Sequence, residues 1–315
     1  MGVMTTASAA MTANVRDIIG WYDGENPGVK ANLVRMLMTG RLGGTGKMVI
    51  LPIDQGFEHG PARSFGVNPD AYDPAYHIQM AVDAGLNAYA APYGWLNAVA
   101  DRYAGQIPTI LKINSSNSLN RAKEAPDQAV TASIDDALRL GCSAIGFTIY
   151  PGSDVIYGQM EEIVALSKEA RAKGLAVVIW SYPRGGNVTK DGETALDIVA
   201  YGAHMAALLG AHIIKVKLPT DFLEQKEAKE VYEKQKIKID TLGDRVSHIM
   251  QCCFNRQRIV VFSGGAAKGG DNVLDDARAI KAGGGHGSII GRNCFQRPRA
   301  EAMKLLDDMI KVYQG

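Results

Sequence analysis

The segment AHIIKVKLPT, residues 211–220, decides how the rest of the chain is interpreted. Side chains alternate between the two faces of a strand. One face of this segment is wholly apolar, with Ile214, Val216 and Leu218. The other face carries Lys215 and Lys217. Two lysines on one face indicate either a solvated edge strand or a strand whose polar face points into a functional interior.

Composition excludes several classes of protein. The 315 residues include 34 Lys and Arg and 33 Asp and Glu, which gives a net charge of +1. A chain that is 46% hydrophobic can bury a large core, and a barrel of this length forms a single domain. Because the chain is nearly neutral, it has no basic field for a nucleic acid, so we expect a small-molecule substrate and no nucleic-acid partner.

Cysteine usage and hydropathy predict the compartment. The four cysteines show no CxxC spacing, and two of them, Cys252 and Cys253, are adjacent in sequence. The opening segment lacks the charged and apolar regions of a signal peptide, and no apolar run approaches ~18 residues. We therefore expect a cytoplasmic protein that does not enter a membrane.

Eight apolar runs recur along the chain, each ending in a polar or glycine-rich turn and followed by a segment of helical period. They are MVILPID (48–54), NAYAAPYG (87–94), TILKIN (109–114), SAIGFTIY (143–150), LAVVIWSYP (175–183), HIIKVKLP (212–219), RIVVFSGGA (258–266) and GSIIGRN (287–293). This alternation predicts a (β/α)8 barrel over residues 46–315, preceded by an N-terminal helical extension over 1–45. A doubly wound open sheet is the alternative, because periodicity alone does not show closure.

A closed barrel explains why the strand within residues 211–220 carries two lysines on one face. No strand of a barrel is an edge, so the apolar face meets the helices and the lysines point inward. Catalytic groups in this fold lie at the carboxyl ends of the strands. Those ends carry Asp54, Lys112, Asn114, Tyr150, Lys215, Lys217, Ser263 and Arg292. The pattern predicts that these polar groups converge on one mouth of the barrel.

Glycine-rich turns follow the last two predicted strands. They are SGGAAKGGD (263–271) and GRNCF (291–295). Glycines allow backbone N–H groups to approach an anion closely, and this is where the fold commonly holds phosphate. The predicted phosphate ligands are Ser263, Gly264, Gly265, Gly291 and Arg292.

An interior lysine beside a phosphate site is a candidate nucleophile. A lysine has an ordinary pKa of ~10.4, and both burial and a like-charged neighbour favour its neutral form. Lys217 and Lys112 are the candidate neighbours of Lys215. A neutral amine converts a ketone to an iminium, which is an electron sink for cleavage of a carbon–carbon bond. This chemistry needs no metal or cofactor, and the histidines show no ligand spacing.

Five motifs carry a resemblance to a known family. LPIDQGFEHGP (51–61), GFTIYPGS (146–153), AHIIKVKLP (211–219), SGGA (263–266) and GRNCFQRP (291–298) resemble, in order, the archaeal-type class I fructose-bisphosphate aldolases, also called the DhnA family. The resemblance implies a (β/α)8 barrel and Schiff-base cleavage of a phosphorylated sugar, fructose 1,6-bisphosphate. It also implies a large homo-oligomer, an octamer or a decamer.

The resemblance also implies roles for particular residues. By position in the motifs, Lys215 rather than Lys217 is the Schiff-base lysine and Tyr150 transfers protons. Asp54 is assigned to positioning a substrate hydroxyl and to proton relay, with His59 beside it as a substrate contact.

The remaining assignments are less constrained. Lys112 and Lys217 are the candidates for the second phosphate. Gln55 departs from the Asp-His-Gly version of the motif found in some relatives, which leaves the contacts to the sugar hydroxyls open.

Two other functions fit the same barrel. One is a sister Schiff-base enzyme that performs transaldol chemistry in aromatic amino-acid precursor synthesis. The other is a non-catalytic sensor of phosphorylated metabolites. The tyrosine in TIYPGS favours the aldolase over the first, and a sensor would not need to keep both Lys215 and Tyr150.

Overall fold

The structure is a computed structural model that describes residues 10–119, 125–263 and 269–315. Within these residues, eight parallel strands form a closed barrel. They are β1 Met48–Pro52, β2 Ala88–Pro92, β3 Thr109–Lys112, β4 Ala144–Ile149, β5 Ala176–Ser181, β6 Ile213–Lys217, β7 Ile259–Ser263 and β8 Gly287–Ile289. Pairing of β1 with β8 closes the barrel. The predicted (β/α)8 fold is confirmed, and the open-sheet alternative is wrong.

Helices surround the barrel and connect its strands. They are α1 Ala13–Gly20, α2 Pro27–Met38, α3 Gln55–His59, α4 Pro61–Phe65, α5 Pro74–Asp83, α6 Tyr93–Asn97, α7 Ile134–Arg139, α8 Ile156–Ala172, α9 Leu196–Leu208, α10 Lys226–Lys234, α11 Leu242–Cys252, α12 Gly270–Ala282, α13 Arg292–Phe295 and α14 Arg299–Gln314. Short 3₁₀ helices span Pro69–Tyr72 and Gly192–Thr194. A small antiparallel sheet joins Asn114–Ser115 to Ala129–Val130.

The two faces of β6 differ as the alternation predicted. Ile214 and Val216 belong to the apolar layer between the barrel and its helices. Ile213 belongs to the separate cluster that fills the barrel interior. Lys215 and Lys217 therefore point inward, and both line a cavity at the carboxyl ends of the strands.

Trp180 on β5 fills the interior below that cavity. Its indole is buried and lies against Gly146 on the neighbouring strand β4. A Cβ atom at position 146 would lie 2.0 Å from the indole ring, so only glycine leaves room for it. The tryptophan thus forms an apolar floor under the strand-end groups.

The helices α1 and α2 cover the opposite, amino-terminal mouth of the barrel. Val15 and Leu33 belong to the interior cluster together with Ile213 and Ile259, the first residues of β6 and β7. Tyr22, between the two helices, donates its hydroxyl hydrogen to the His212 carbonyl at 2.6 Å. The same hydroxyl accepts the Ile259 N–H at 3.1 Å. Two helices from the start of the chain therefore plug the base of the barrel.

Two further observations bear on the environment of the protein. None of the helices in the described residues is both long enough and apolar enough to cross a bilayer. The four cysteines are free thiols, and those at 142, 253 and 294 are buried.

Candidate active site

A cavity of about 480 Å³ opens at the carboxyl ends of the strands. The walls combine residues from the loops after β1, β5 and β8 with Ser263 at the end of β7 and the inward face of β6. The structure brings the following predicted site residues to this cavity: Asp54, His59, Lys215, Lys217, Ser263, Gly291 and Arg292. Gly264 and Gly265 lie outside the described residues. Tyr150 and Lys112 do not line the cavity.

Lys215 is the most buried cation of the cavity wall, with 4% of its surface exposed. Its Nζ lies 5.6 Å from the centre of the Trp180 ring and 5.1 Å from that of Tyr182. Burial is the main cause that lowers the pKa of Lys215 to about 8, against the opposing charges of Asp54 and Glu58. At pH 7 roughly a tenth of such an amine is neutral, compared with about 0.04% for an ordinary lysine.

Lys217 does not act as the charged neighbour that the sequence suggested for Lys215. Its Nζ pairs with the Glu193 carboxylate at 2.9 Å. Arg292 is the cation whose charge lowers the pKa of Lys215, after burial. Lys217 nevertheless lines the cavity and stays a candidate contact for substrate phosphate.

Lys112 is held inside a hydrogen-bonded network next to the cavity. It is 1% exposed, and its Nζ donates to the Asn114 carbonyl, to Asn114 Oδ1 at 3.2 Å and to Gln128 Oε1 at 3.2 Å. An ammonium with three acceptors has no donor left for a ligand. Binding of a phosphate by Lys112 stays a prediction, and it would require the ammonium to exchange one of these acceptors for the ligand.

Tyr150 belongs to the same network. The ring is 2% exposed, and the hydroxyl accepts the Gln128 Nε2 hydrogen at 2.7 Å and lies 3.1 Å from Ser116 Oγ. Burial raises the pKa of Tyr150, and the Glu58 charge raises it further. The described geometry places this tyrosine beside the cavity, and its role in proton transfer stays a prediction.

Tyr182 lies in the cavity wall, where the sequence analysis placed Tyr150. It follows β5, lines the cavity and presents its ring to Lys215. Burial raises the pKa of Tyr182, as do Asp54 and Glu58, so the phenol keeps its proton at neutral pH. The strand-end rule would have selected it, because SYPRGG (181–186) directly follows the fifth strand.

Two carboxyl groups from the loop after β1 complete the charged part of the cavity. Asp54 is buried, and Glu58 lies on α3 with its Oε2 atom 3.8 Å from His59 Nε2. Burial raises the pKa of Glu58 and the Asp54 charge adds to this, so the protonated form of Glu58 is favoured. Burial and the Arg292 charge lower the pKa of His59. The loop thus offers an acid and a base side by side.

Three of the predicted phosphate ligands lie in the described residues. Ser263 ends β7, and Gly291 and Arg292 follow β8 at the start of α13. A Cβ atom on Gly291 would lie 3.1 Å from both Gln55 Nε2 and the Pro52 carbonyl. Glycine therefore keeps the backbone accessible between the β1 and β8 loops.

Comparison with known proteins identifies the family. Residues 48–297 match the model of the DeoC/LacD family aldolase. The chain belongs to this family. It is 34% identical over 272 residues to the class 1 fructose-bisphosphate aldolase of Thermoproteus tenax, covering 86% of this chain and 90% of that protein. It is 35% identical over 308 residues to a probable class 1 fructose-bisphosphate aldolase of Chlamydia muridarum, covering 91% and 85%.

Solved aldolase structures share the fold. A crystal structure of an archaeal fructose 1,6-bisphosphate aldolase superimposes with a TM-score of 0.75 at 32% identity, covering 90% of this chain and 99% of that one. A second archaeal aldolase has its catalytic Lys covalently bound to the carbinolamine intermediate of the substrate. It superimposes with a TM-score of 0.73 at 30% identity, with the same coverage. The resemblance seen in the sequence is confirmed.

Arg184 is a cavity residue of this DeoC/LacD aldolase that the sequence analysis missed. It follows Tyr182 by two residues and lines the cavity. Its guanidinium lies 4.8 Å from the centre of the Tyr150 ring. Among the described residues, its buried Nε–H has no hydrogen-bond partner. Arg184 is therefore a second candidate, besides Arg292, for binding an anionic group.

The histidines outside the cavity have structural partners in this aldolase. His77 Nε2 lies 2.7 Å from the Ala71 carbonyl, and His212 Nδ1 accepts the Val177 N–H at 2.9 Å. Over the parts of the chain that the structure describes, no group of three His, Cys, Asp or Glu side chains could hold a metal ion.

Proposed function

We propose that this aldolase is a class I, Schiff-base fructose-1,6-bisphosphate aldolase. It cleaves its substrate reversibly to dihydroxyacetone phosphate and glyceraldehyde 3-phosphate. The observation that carries the proposal is Lys215, a buried inward-facing lysine with a pKa lowered to about 8 at the carboxyl end of β6. The named activities of the Thermoproteus and archaeal relatives support the same substrate.

The chemistry begins at the ketone of the substrate. Neutral Lys215 attacks the carbonyl carbon to give a carbinolamine, which loses water to form an iminium. The iminium withdraws electrons as the bond between the neighbouring carbon and the hydroxyl-bearing carbon breaks, and that hydroxyl loses its proton to give the aldehyde. The enamine left on Lys215 is protonated on carbon, and hydrolysis of the resulting iminium releases dihydroxyacetone phosphate and the free amine. Tyr182, close to Lys215, is placed to donate a proton to the leaving water and to take one back. Asp54 and Glu58 serve as base and acid at the substrate hydroxyls.

Two sets of residues, each with at least one positively charged side chain, can hold the two phosphates. Ser263, Gly291 and Arg292 supply the first site at the β7 and β8 loops, the standard phosphate position of this fold. Gly264 and Gly265 extend this proposal beyond the described residues. Arg184 and Lys217 supply the second site, since both line the cavity and carry positive charge.

Arg292→Ala is expected to raise KM for fructose 1,6-bisphosphate by about 10- to 100-fold while kcat changes by less than about 5-fold. The reason is that the guanidinium binds the phosphate in both the ground state and the transition state. Steady-state kinetics measure both constants. Arg278→Ala is the control, because Arg278 pairs with Asp275 on the exposed face of α12 and should leave KM unchanged. An unchanged KM in Arg292→Ala would remove this residue from the phosphate site.

Aldol cleavage is expected to survive exhaustive chelation, because the iminium serves as the electron sink. A coupled assay that detects both triose phosphates, run with and without EDTA, measures this. The same assay with fructose 1-phosphate, fructose 6-phosphate and fructose 1,6-bisphosphate ranks the substrates, and the bisphosphate should give the highest kcat/KM. Loss of activity with EDTA that zinc or cobalt restores would contradict the Schiff-base mechanism.

Assembly and location are part of the proposal. We expect a homo-oligomer, an octamer or a decamer, in the cytoplasm. The free cysteines suit a reducing compartment. Helices α8 and α9 expose large apolar side chains, including Tyr157 and Leu208, which suit a contact between subunits.

A further inference from the structure

Three lysines point into the barrel, and they differ in what accepts their N–H hydrogens. Lys112 donates to three oxygens of Asn114 and Gln128. Lys217 donates to the Glu193 carboxylate at 2.9 Å. Lys215 faces aromatic rings, and no carboxylate among the described residues lies within 4.0 Å of its Nζ. Only an amine that can lose its proton attacks a ketone. The hydrogen-bond acceptors therefore indicate which of the three lysines can act as the nucleophile.

Lys217 is the lysine that competes most directly with Lys215. The two are one pleat apart on the same face of β6, and both line the cavity. Burial lowers the pKa of Lys217, which by itself would make it a second nucleophile. The charge of Glu193 acts in the opposite direction and favours the ammonium.

Glu193 is held in place by its loop. The Lys217 and Glu193 side chains are 20% and 14% exposed, so water screens their ion pair only partly. Glu193 lies on the 3₁₀ turn Gly192–Thr194. The Thr194 carbonyl accepts hydrogen bonds from the Thr220 N–H at 2.8 Å and from its hydroxyl at 3.0 Å. These bonds tie the turn to the segment that follows β6.

The other charged groups that act on Lys217 are Arg184 and Lys190. Both are positive and therefore favour the neutral amine. Lys190 also pairs with Glu193 at 2.9 Å but is largely exposed to solvent, so it contributes little. Glu193 is thus the described carboxylate that keeps Lys217 protonated.

We propose that Glu193 is a positioning residue that reserves the substrate ketone for Lys215 by holding Lys217 as a paired ammonium. An ammonium has no lone pair, so it cannot form the carbon–nitrogen bond. At Lys215 the nitrogen lone pair forms that bond, and the carbonyl oxygen takes up one proton from the attacking amine to give the carbinolamine. A second proton, supplied by an acid, lets this oxygen leave as water when the iminium forms. This inference rests on the proposed Schiff-base function.

The test is reductive trapping on the full-length protein. Dihydroxyacetone phosphate and borohydride convert the iminium into a stable secondary amine by adding hydride, and peptide mass spectrometry locates the adduct. Wild-type protein should carry it on Lys215. In Glu193→Gln, the ratio of Lys217 to Lys215 adduct should rise at least about tenfold, since one unit of pKa changes the neutral fraction by that factor.

Two further variants distinguish an effect of the Glu193 charge from an effect of the conformation of its loop. Glu193→Asp keeps the carboxylate and should restore labelling of Lys215 alone. Glu224→Gln is the matched control, because the Glu224 carboxylate accepts the Thr189 N–H and hydroxyl hydrogens at 2.9 Å and anchors the same loop without contacting Lys217. It should also leave Lys215 as the labelled residue.

Each outcome has a defined meaning. An adduct confined to Lys215 in Glu193→Gln overturns the inference and leaves the aldolase function intact. Lys217 labelling of equal extent in Glu224→Gln overturns it as well, because loop disruption would then explain the result. An absence of adduct in wild-type protein overturns both the inference and the proposed function.

Discussion

Lys215→Ala is expected to reduce turnover of fructose 1,6-bisphosphate by about 10⁴-fold or more, to the limit of detection. The variant lacks the nitrogen that forms the iminium, and the remaining groups cannot supply another electron sink. The coupled triose phosphate assay measures the loss. Borohydride reduction with dihydroxyacetone phosphate should leave no adduct on this variant, whereas wild-type protein should be labelled within the peptide that contains β6.

Lys217→Ala is the matched control for the nucleophile. This variant removes an ammonium from the same face of the same strand and keeps Lys215. It should still form the adduct on Lys215, and it should regain part of its activity at higher substrate concentration, because Lys217 is a candidate contact for substrate phosphate. An adduct on Lys217 or Lys112 in wild-type protein, or Lys215→Ala protein with substantial turnover, would show that another nucleophile carries the reaction.

Tyr182→Phe is expected to lower kcat by about 10²- to 10³-fold, because it removes the hydroxyl of the tyrosine whose ring centre lies 5.1 Å from Lys215 Nζ. KM should change little, since the ring remains in the cavity wall. Rapid-quench trapping should show that the adduct forms more slowly, because loss of water from the carbinolamine lacks its acid.

Tyr150→Phe provides the comparison. Its hydroxyl accepts from Gln128 and lies beside Ser116, so its loss should cost about 1–3 kcal/mol of unfolding free energy by leaving a buried amide unpaired. We expect kcat within about 5-fold of wild type, and a lower midpoint in chemical denaturation. The reverse ranking of the two variants would return the proton-transfer role to Tyr150.

The fold could be predicted from the sequence because the signals are local. Each barrel strand is a short apolar run with its own turn, and the alternation in β6 is enough to direct its lysines inward. Eight such units favour a barrel, although only the pairing of β1 with β8 in the structure shows closure, and glycines at the ends of the last two strands predict the phosphate loops. None of these inferences requires knowledge of which loop contacts which.

The parts that the sequence did not reveal depend on contacts between distant segments. Tyr150 and Tyr182 each follow a strand, and Ile149 and Ser181 before them pair in register across β4 and β5. Alternation alone therefore does not show which of the two tyrosines faces the cavity. The difference depends on the Gln128 amide, 22 residues upstream of Tyr150, which donates a hydrogen bond to the Tyr150 hydroxyl. Likewise the partner of Lys217 lies 24 residues upstream, in the loop after β5.

The plug formed by α1 and α2 has a consequence for synthesis of the chain. The Tyr22 hydroxyl contacts His212 and Ile259, which are 190 and 237 residues further along. At translation rates of about 5–20 residues per second, roughly 10 to 50 s separate the emergence of these partners. Contacts of such long sequence separation form late and slow the folding rate. Helices α1 and α2 are therefore synthesised well before the β6 and β7 segments against which they pack.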